Sequence, residues 1–222
     1  ATECIWTSWS ALSGGDWRDS KRCLGGTFQD HGSHSLDLAV QWIGSPVRTA
    51  FAHAQRLGTR LGSTREVEDH MSALIHHENG ASSLHVHSRF CHRPVSEYYR
   101  IYGTRATLEL EYTGDWAYLA PDAWDMRLYR DGAARPLRLV ARRPRGEFEG
   151  VLSDSEYAYY AELERFGEAV SRADLTASPT GAEGLEAVRA VCAAFLSAAE
   201  RRVVAQEEAE RYGEEAFGRL FA

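Results

Sequence analysis

Three side chains with the chemistry of proton transfer fall in one short run: Asp30, His34 and Asp37, spaced i, i+4 and i+7. On a helix turning about 100° per residue they lie within an arc of roughly 60° and neighbour one another along one row. A carboxylate beside an imidazole fixes its tautomer and favours its charged form, which makes a general acid or base. The segment must be helical for this to hold. Phe28, Gly32, Leu36, Ala39, Val40 and Ile43 gather on the other side as an apolar face, with Gly32 permitting close approach to a core. The polar row is equally what the solvated side of an amphipathic helix looks like.

Other chemistries are poorly represented. There is no G-x-G anywhere, no phosphate loop, no H-E-x-x-H and no G-x-S-x-G. His85 and His87 share one face of a strand, a spacing open to a metal pair, but a polar sheet face that is wet or in a subunit contact explains it as well, and no metal site is expected. His76 and His77 point to opposite faces. Cys23 precedes the central helix with nothing nearby in sequence to activate it. Lys21 is the only lysine among 25 basic residues, so a mechanism needing one has a single candidate.

The elements around the central run follow from pattern. Residues 3–12 are rich in aromatic and β-branched types and are broken by Gly14-Gly15, which predicts a strand and then a loop carrying Asp16, Trp17, Arg18 and Lys21. The helix spans 25–44 and ends at Gly44-Ser45-Pro46. Strand-like runs follow at 47–57, 67–78, 82–91, 96–102 and 105–112, with Asn79-Gly80 marking a tight hairpin, and shorter ones near 125–130 and 135–141. Short links make the sheet antiparallel. Capping boxes at Ser153/Glu156 and Thr180/Glu183 open two helices, the first with Tyr159, Leu163, Phe166 and Val170 on one side, the second with Leu185, Val188, Cys192 and Phe195. An acidic terminal segment, 207–222, forms a further helix. The expected class is α+β: a large, mostly antiparallel open-faced sheet with helices on one face, one domain over 1–204 and a helical extension of it over 205–222.

Composition narrows the partners. At 222 residues with 44% hydrophobic and 26% charged positions, the chain reads as an ordinary globular protein. Its formal net charge of -7 argues against nucleic acid, and no run is long or apolar enough for a membrane span or leader. Four scattered cysteines without C-x-x-C spacing suit free thiols in a reducing, cytoplasmic setting. The strand-like segment begins directly at Ala1, as in an excised domain.

The run Gly25-Gly26-x-x-x-Asp30-x-Gly32-x-His34-x-x-Asp37-x-x-x-Trp42-x-Gly44 resembles the G-G-x-x-x-D-x-G-x-H-x-x-D-x-x-x-W-x-x-G signature of the Gfo/Idh/MocA oxidoreductases, one residue shorter before the closing glycine. Val67-Glu68-Asp69 with Glu78-Asn79-Gly80-Ala81, and Ile101-Tyr102-Gly103-Thr104 with Leu108, are similar to the family's sheet strands and hairpin. The helices around Tyr160 to Phe166 and Phe195 to Val203 look like its final pair. The likeness spans about residues 3–204.

The resemblance implies the C-terminal α+β domain of an enzyme whose N-terminal Rossmann domain binds NAD or NADP, with the sheet face as the homo-oligomer contact. It implies that His34 is the acid/base for a substrate hydroxyl, that Asp30 orients it, and that Asp37 braces the helix or His34. It places Asp16, Trp17 and Arg18, with Asp37, toward a sugar, cyclitol or related polyol. The family's lysine motif, E-K-P, belongs to the Rossmann domain, and Lys21 does not sit in one. Two other functions stay open: a Rossmann-less lyase, isomerase or cyclase using Asp30 and His34, and a module whose sheet face only binds or oligomerises.

Overall fold

The computed structural model describes residues 1–8, 17–91, 96–113, 124–130, 135–139, 154–174, 176 and 180–220. Strand β1 (Thr2–Thr7) alternates between covered and half-covered side chains, the period-2 signature of a strand with one face on a core. Trp17–Asp19 and Lys21–Cys23 are single 3-10 turns, and helix α1 (Ser33–Ile43) follows. Next come β2 (Val47–Gln55), β3 (His70–His77), β4 (Ser82–Ser88), β5 (Ser96–Tyr102), β6 (Ala106–Thr113), β7 (Trp124–Arg130) and β8 (Leu137–Leu139). Two long helices, α2 (Asp154–Arg172) and α3 (Gly181–Glu200), precede the short strand β9 (Val204–Ala205), a 3-10 segment and α4 (Glu214–Leu220).

The nine strands make one sheet in the order β8-β7-β6-β5-β1-β4-β3-β2-β9. Every described pairing is antiparallel except β1 with β4, where Cys4 faces His85 and Trp6 faces His87. Short links make hairpins, as expected. The parallel pair arises because the chain leaves β1 through α1, β2 and β3 before β4 returns beside it, a crossover long enough for parallel pairing.

One face of the sheet is covered by α1 and α3. Met71, Ala73 and Ile75 of β3 and Ala50 and Ala52 of β2 meet Phe28, Leu36, Ala194, Phe195 and Leu196 there, all at most 4% exposed. A buried Leu or Phe contributes about 1.5–3 kcal/mol, so this layer fixes where α1 lies. Ala209 and Ala216 carry the C-terminal segment onto the same core. Thr180 and Glu183 form the reciprocal capping box expected at the start of α3. The corresponding box at Ser153 and the Gly14-Gly15 break lie outside the described residues.

Two patterns differ from expectation. The helical stripe Tyr159, Leu163, Phe166 and Val170 does not enter the core: these side chains are exposed, because α2 packs extensively on no described element. Spacing shows that a face is apolar, not what covers it. His85 and His87, read from sequence as a wet or interface face, are instead fully buried beneath α1.

Candidate functional site

The central helix is not a uniform α-helix. Phe28–Gly32 forms one π turn that runs into α1, the wider turn frequent at functional positions. Two glycines bring it to its place. A Cβ on Gly25 would collide with the Trp17 and Arg18 carbonyl region. Gly26 has φ +134°, a conformation L side chains rarely adopt, and a Cβ there would land on the Glu68 carboxyl group. With no side chain between them, the Gly26 N–H donates to the Arg18 carbonyl at 2.9 Å and the Asp30 N–H to the Gly26 carbonyl at 3.1 Å. The 3-10 turn bearing Arg18 is thereby tied to the turn bearing Asp30.

Asp30 is the hub. Its Oδ2 accepts from Arg18 Nε at 2.8 Å and Arg89 Nη2 at 2.9 Å, and lies 3.4 Å from His31 Nε2. Arg89, just beyond β4, also donates through Nε to Thr27 Oγ1 at 3.1 Å. The His31 ring stacks on Trp6 of β1 with centroids 3.9 Å apart and planes 15° apart. Burial lowers His31 to about 4, against the pull of Asp30, so the imidazole is neutral near pH 7. Asp30 Oδ1 has no such partner among the described residues.

The expected residues divide. Asp30 and Arg18 meet directly. Trp17, 47% exposed, lies under the Arg18 guanidinium at 4.6 Å. His34 is exposed, its ring 6.5 Å from His31, and makes no hydrogen bond to Asp30 or to any other described residue. Asp37 accepts from Gln41 Nε2 at 2.7 Å, bracing the helix rather than His34. Asp16 lies outside the described residues. Arg89, His31 and Trp6 were not singled out from sequence. Trp6 and Arg89 approach the site only through the β1–β4 register. His31 reaches its neighbour's carboxylate at the π turn, and Asp-His in sequence was the one available signal.

Below this layer, two polar groups anchor the helix. Burial raises the Glu68 carboxyl from 4.5 to about 8, opposed by the Phe28 N–H, which donates to its Oε1 at 2.8 Å. The folded chain thus keeps a proton that the unfolded chain releases above about 4.5. Glu68's contribution to stability is full below that pH, falls as the pH rises to about 8, and is level beyond. Glu68→Gln keeps an acceptor for the Phe28 N–H. It is expected to flatten the decline of unfolding free energy between those pH values in urea titrations; an unchanged slope would contradict the assignment.

The second anchor is a hydrogen-bonded row of histidines and serines. His77 Nδ1 is 2.9 Å from the Ser45 carbonyl, so it carries the hydrogen. Burial pushes His77 down, His85 to about 3, and His87 well below its ordinary value, so all three are neutral. Ser83 Oγ then donates to His77 Nε2 at 3.1 Å and accepts from His85 Nε2 at 2.9 Å. Ser35 Oγ lies 2.9 Å from both His85 Nδ1 and His87 Nε2 and 3.1 Å from the Gly32 carbonyl, to which it can donate. The Ser35 hydroxyl between the two rings takes the place a metal would need, and no group of three or more metal-ligating side chains exists among the described residues.

Comparisons with known proteins agree with this architecture. The family model for the oxidoreductase family, C-terminal alpha/beta domain (Gfo/Idh/MocA), matches residues 2–205. Three solved structures show the fold at low identity. A protein described as an NADPH-dependent oxidoreductase from Desulfitobacterium hafniense is 19% identical with a TM-score of 0.76, over 93% of this chain and 56% of that one. The aldose-aldose oxidoreductase of Caulobacter crescentus, complexed with glycerol, is 23% identical with a TM-score of 0.63, over 91% and 55%. Levoglucosan dehydrogenase, in complex with NADH and levoglucosan, is 18% identical with a TM-score of 0.69, over 92% and 57%. The chain therefore spans little more than half the length of these proteins. No curated protein matches the sequence.

Proposed function

The chain belongs to the Gfo/Idh/MocA oxidoreductase family, whose C-terminal alpha/beta domain it carries, and from that premise we propose that it is the substrate side of an NAD(P)-dependent dehydrogenase or reductase acting on a sugar, cyclitol or related polyol. Its own residues do not fit a dinucleotide. No G-x-G occurs in the sequence, and no described strand passes into a helix through a glycine-rich turn of the phosphate-binding type. A second domain, in the same parent chain or as a separate subunit, holds the cofactor, which when bound supplies or accepts the hydride.

The carrying observation is the contrast between His34 and Asp30. Among the described residues His34 is exposed with both ring nitrogens uncommitted, while Asp30 is clamped through Oδ2 and has Oδ1 open to an incoming donor. In oxidation, His34 takes the proton of the reacting hydroxyl while Asp30 Oδ1 accepts from a neighbouring hydroxyl and fixes the sugar's orientation. In reduction, His34 returns the proton. Trp17 offers a face for the ring to stack on. Steady-state turnover of the assembled enzyme with and without His34 tests the assignment.

The reading includes pairing of copies through the open face of the sheet, where Phe51, Leu74 and Leu84 stand in one cross-strand row, each at least 38% exposed. Val86→Glu on that face is expected to dissociate the assembly in sedimentation; a wild-type that already sediments as a monomer would contradict it.

A further inference from the structure

Helix α1 meets the sheet on two flanks. In the sheet order β5 and β4 lie on opposite sides of β1. On the β4 side the Ser35 hydroxyl is 2.9 Å from His85 and His87, and the Cys4 thiol of β1 donates to the Ser35 carbonyl at 3.9 Å. His34 is one residue back, about 100° around the axis, and so turns away from β4 to the flank over β5. Farther along the same helix the Trp42 ring meets Tyr99 of β5 edge-on, with centroids 5.4 Å apart.

Strand β5 answers that flank with a carboxylate. Glu97 pairs in register with Trp6 and Tyr99 with Cys4, which sets both side chains on the helix-covered face of the sheet. Glu97 is half-buried, and its Oε2 accepts from the Tyr99 hydroxyl at 3.1 Å. Among the described residues it has no ion pair and no donor on Oε1. Burial raises its carboxyl above the ordinary value; the Tyr99 hydrogen bond and then the charge of His34 pull it back. The other titratable groups at this corner do not supply a counter-charge. His31 on the π turn and His87 on β4 are neutral near pH 7. Tyr112 stands opposite Glu97 on β6 and Cys4 beside Tyr99 on β1. Arg18 and Arg89 donate to Asp30, and neither bears on Glu97.

We propose that Glu97 is a positioning residue for His34, a carboxylate whose charge offsets the imidazolium formed when His34 takes the proton of the substrate hydroxyl. Tyr99 holds one oxygen of this carboxylate and leaves the other open. The proton stays on His34, and Glu97 acts through its charge. The inference rests on the assignment of His34 as the acid/base and adds to it the group that makes the imidazole a stronger base.

The test is nuclear magnetic resonance of the chain with labelled glutamate carboxyl carbons, followed through a pH titration. The Glu97 signal is expected to show a second inflection where the His34 ring titrates. His34→Gln is expected to remove that inflection and to raise the main Glu97 midpoint by about half a pH unit or more. Coupling is reciprocal. In the assembled enzyme, Glu97→Gln, which keeps an acceptor for Tyr99, is therefore expected to move the kcat/KM limb that reports His34 to lower pH by a like amount. It is also expected to lower kcat about threefold to tenfold with KM little changed, and Glu97→Asp to recover part of the loss. If His34→Gln leaves the Glu97 titration where it was, the proposal falls while the functional assignment stands; this arm reads even where Glu97→Gln fails to fold. If the Glu97 titration moves but Glu97→Gln leaves the pH profile in place, the proposal falls together with the assignment of His34.

Discussion

Replacing His34 with alanine is expected to lower kcat of the assembled oxidoreductase by about 10²–10⁴-fold, the usual contribution of a positioned acid/base, with KM changed far less. The split follows from the geometry. In the proposed reading Arg18, Asp30 and Trp17 would hold the substrate in the ground state, whereas His34, exposed and without a hydrogen bond among the described residues, would matter when the hydroxyl proton moves. Folding should be untouched, because an exposed side chain with no described hydrogen bond is removed. A rise in KM with kcat preserved would make His34 a binding group only.

The second large effect concerns stability. Arg65 and Asp19 form a pair at 2.8 Å with side chains 1% and 8% exposed, and desolvation pushes the Arg65 guanidinium below its ordinary value. Removing one member of so buried a pair takes the nearest counter-charge from a group shielded from water, and Asp19→Ala is expected to cost about 3–5 kcal/mol in denaturant unfolding. Asp19 lies in the turn that carries Trp17 and Arg18, and its carbonyl accepts from the Glu66 N–H at 3.0 Å. The variant should therefore also weaken substrate binding. Replacing both partners by apolar residues of similar volume is expected to restore much of the stability, since no charge is then stranded. A loss below about 1 kcal/mol for the single variant is the behaviour of a solvated surface pair and would contradict the burial.

Much of the fold was legible because strands and hairpins write themselves locally. The run 96–102 matches β5, and Asn79-Gly80 turns β3 into β4. The parallel β1–β4 contact was not legible, because it joins segments about eighty residues apart, and with it went Trp6 and Arg89, which approach Asp30 only through that pairing. The family likeness set Asp30 and Arg18 toward the substrate separately and did not join them; their meeting depends on Gly25 and Gly26, where missing side chains let two turns touch. The row Asp30, His34, Asp37 was drawn on an ideal helix. The π turn at 28–32 departs from it, and Asp30 finds arginines while Asp37 finds Gln41. His85 and His87 illustrate the limit of alternation: it showed that they share a face, while α1 decided that the face is buried.

The central claim is that His34 carries the proton of the reacting hydroxyl. Its most direct measurement is single-turnover hydride transfer in the assembled enzyme bearing His34→Gly, followed by nicotinamide absorbance with and without added imidazole. The expected result is a slow reaction that accelerates with imidazole concentration as the free base fills the vacated space. A His34→Gly enzyme that transfers hydride at the wild-type rate without imidazole would contradict the account.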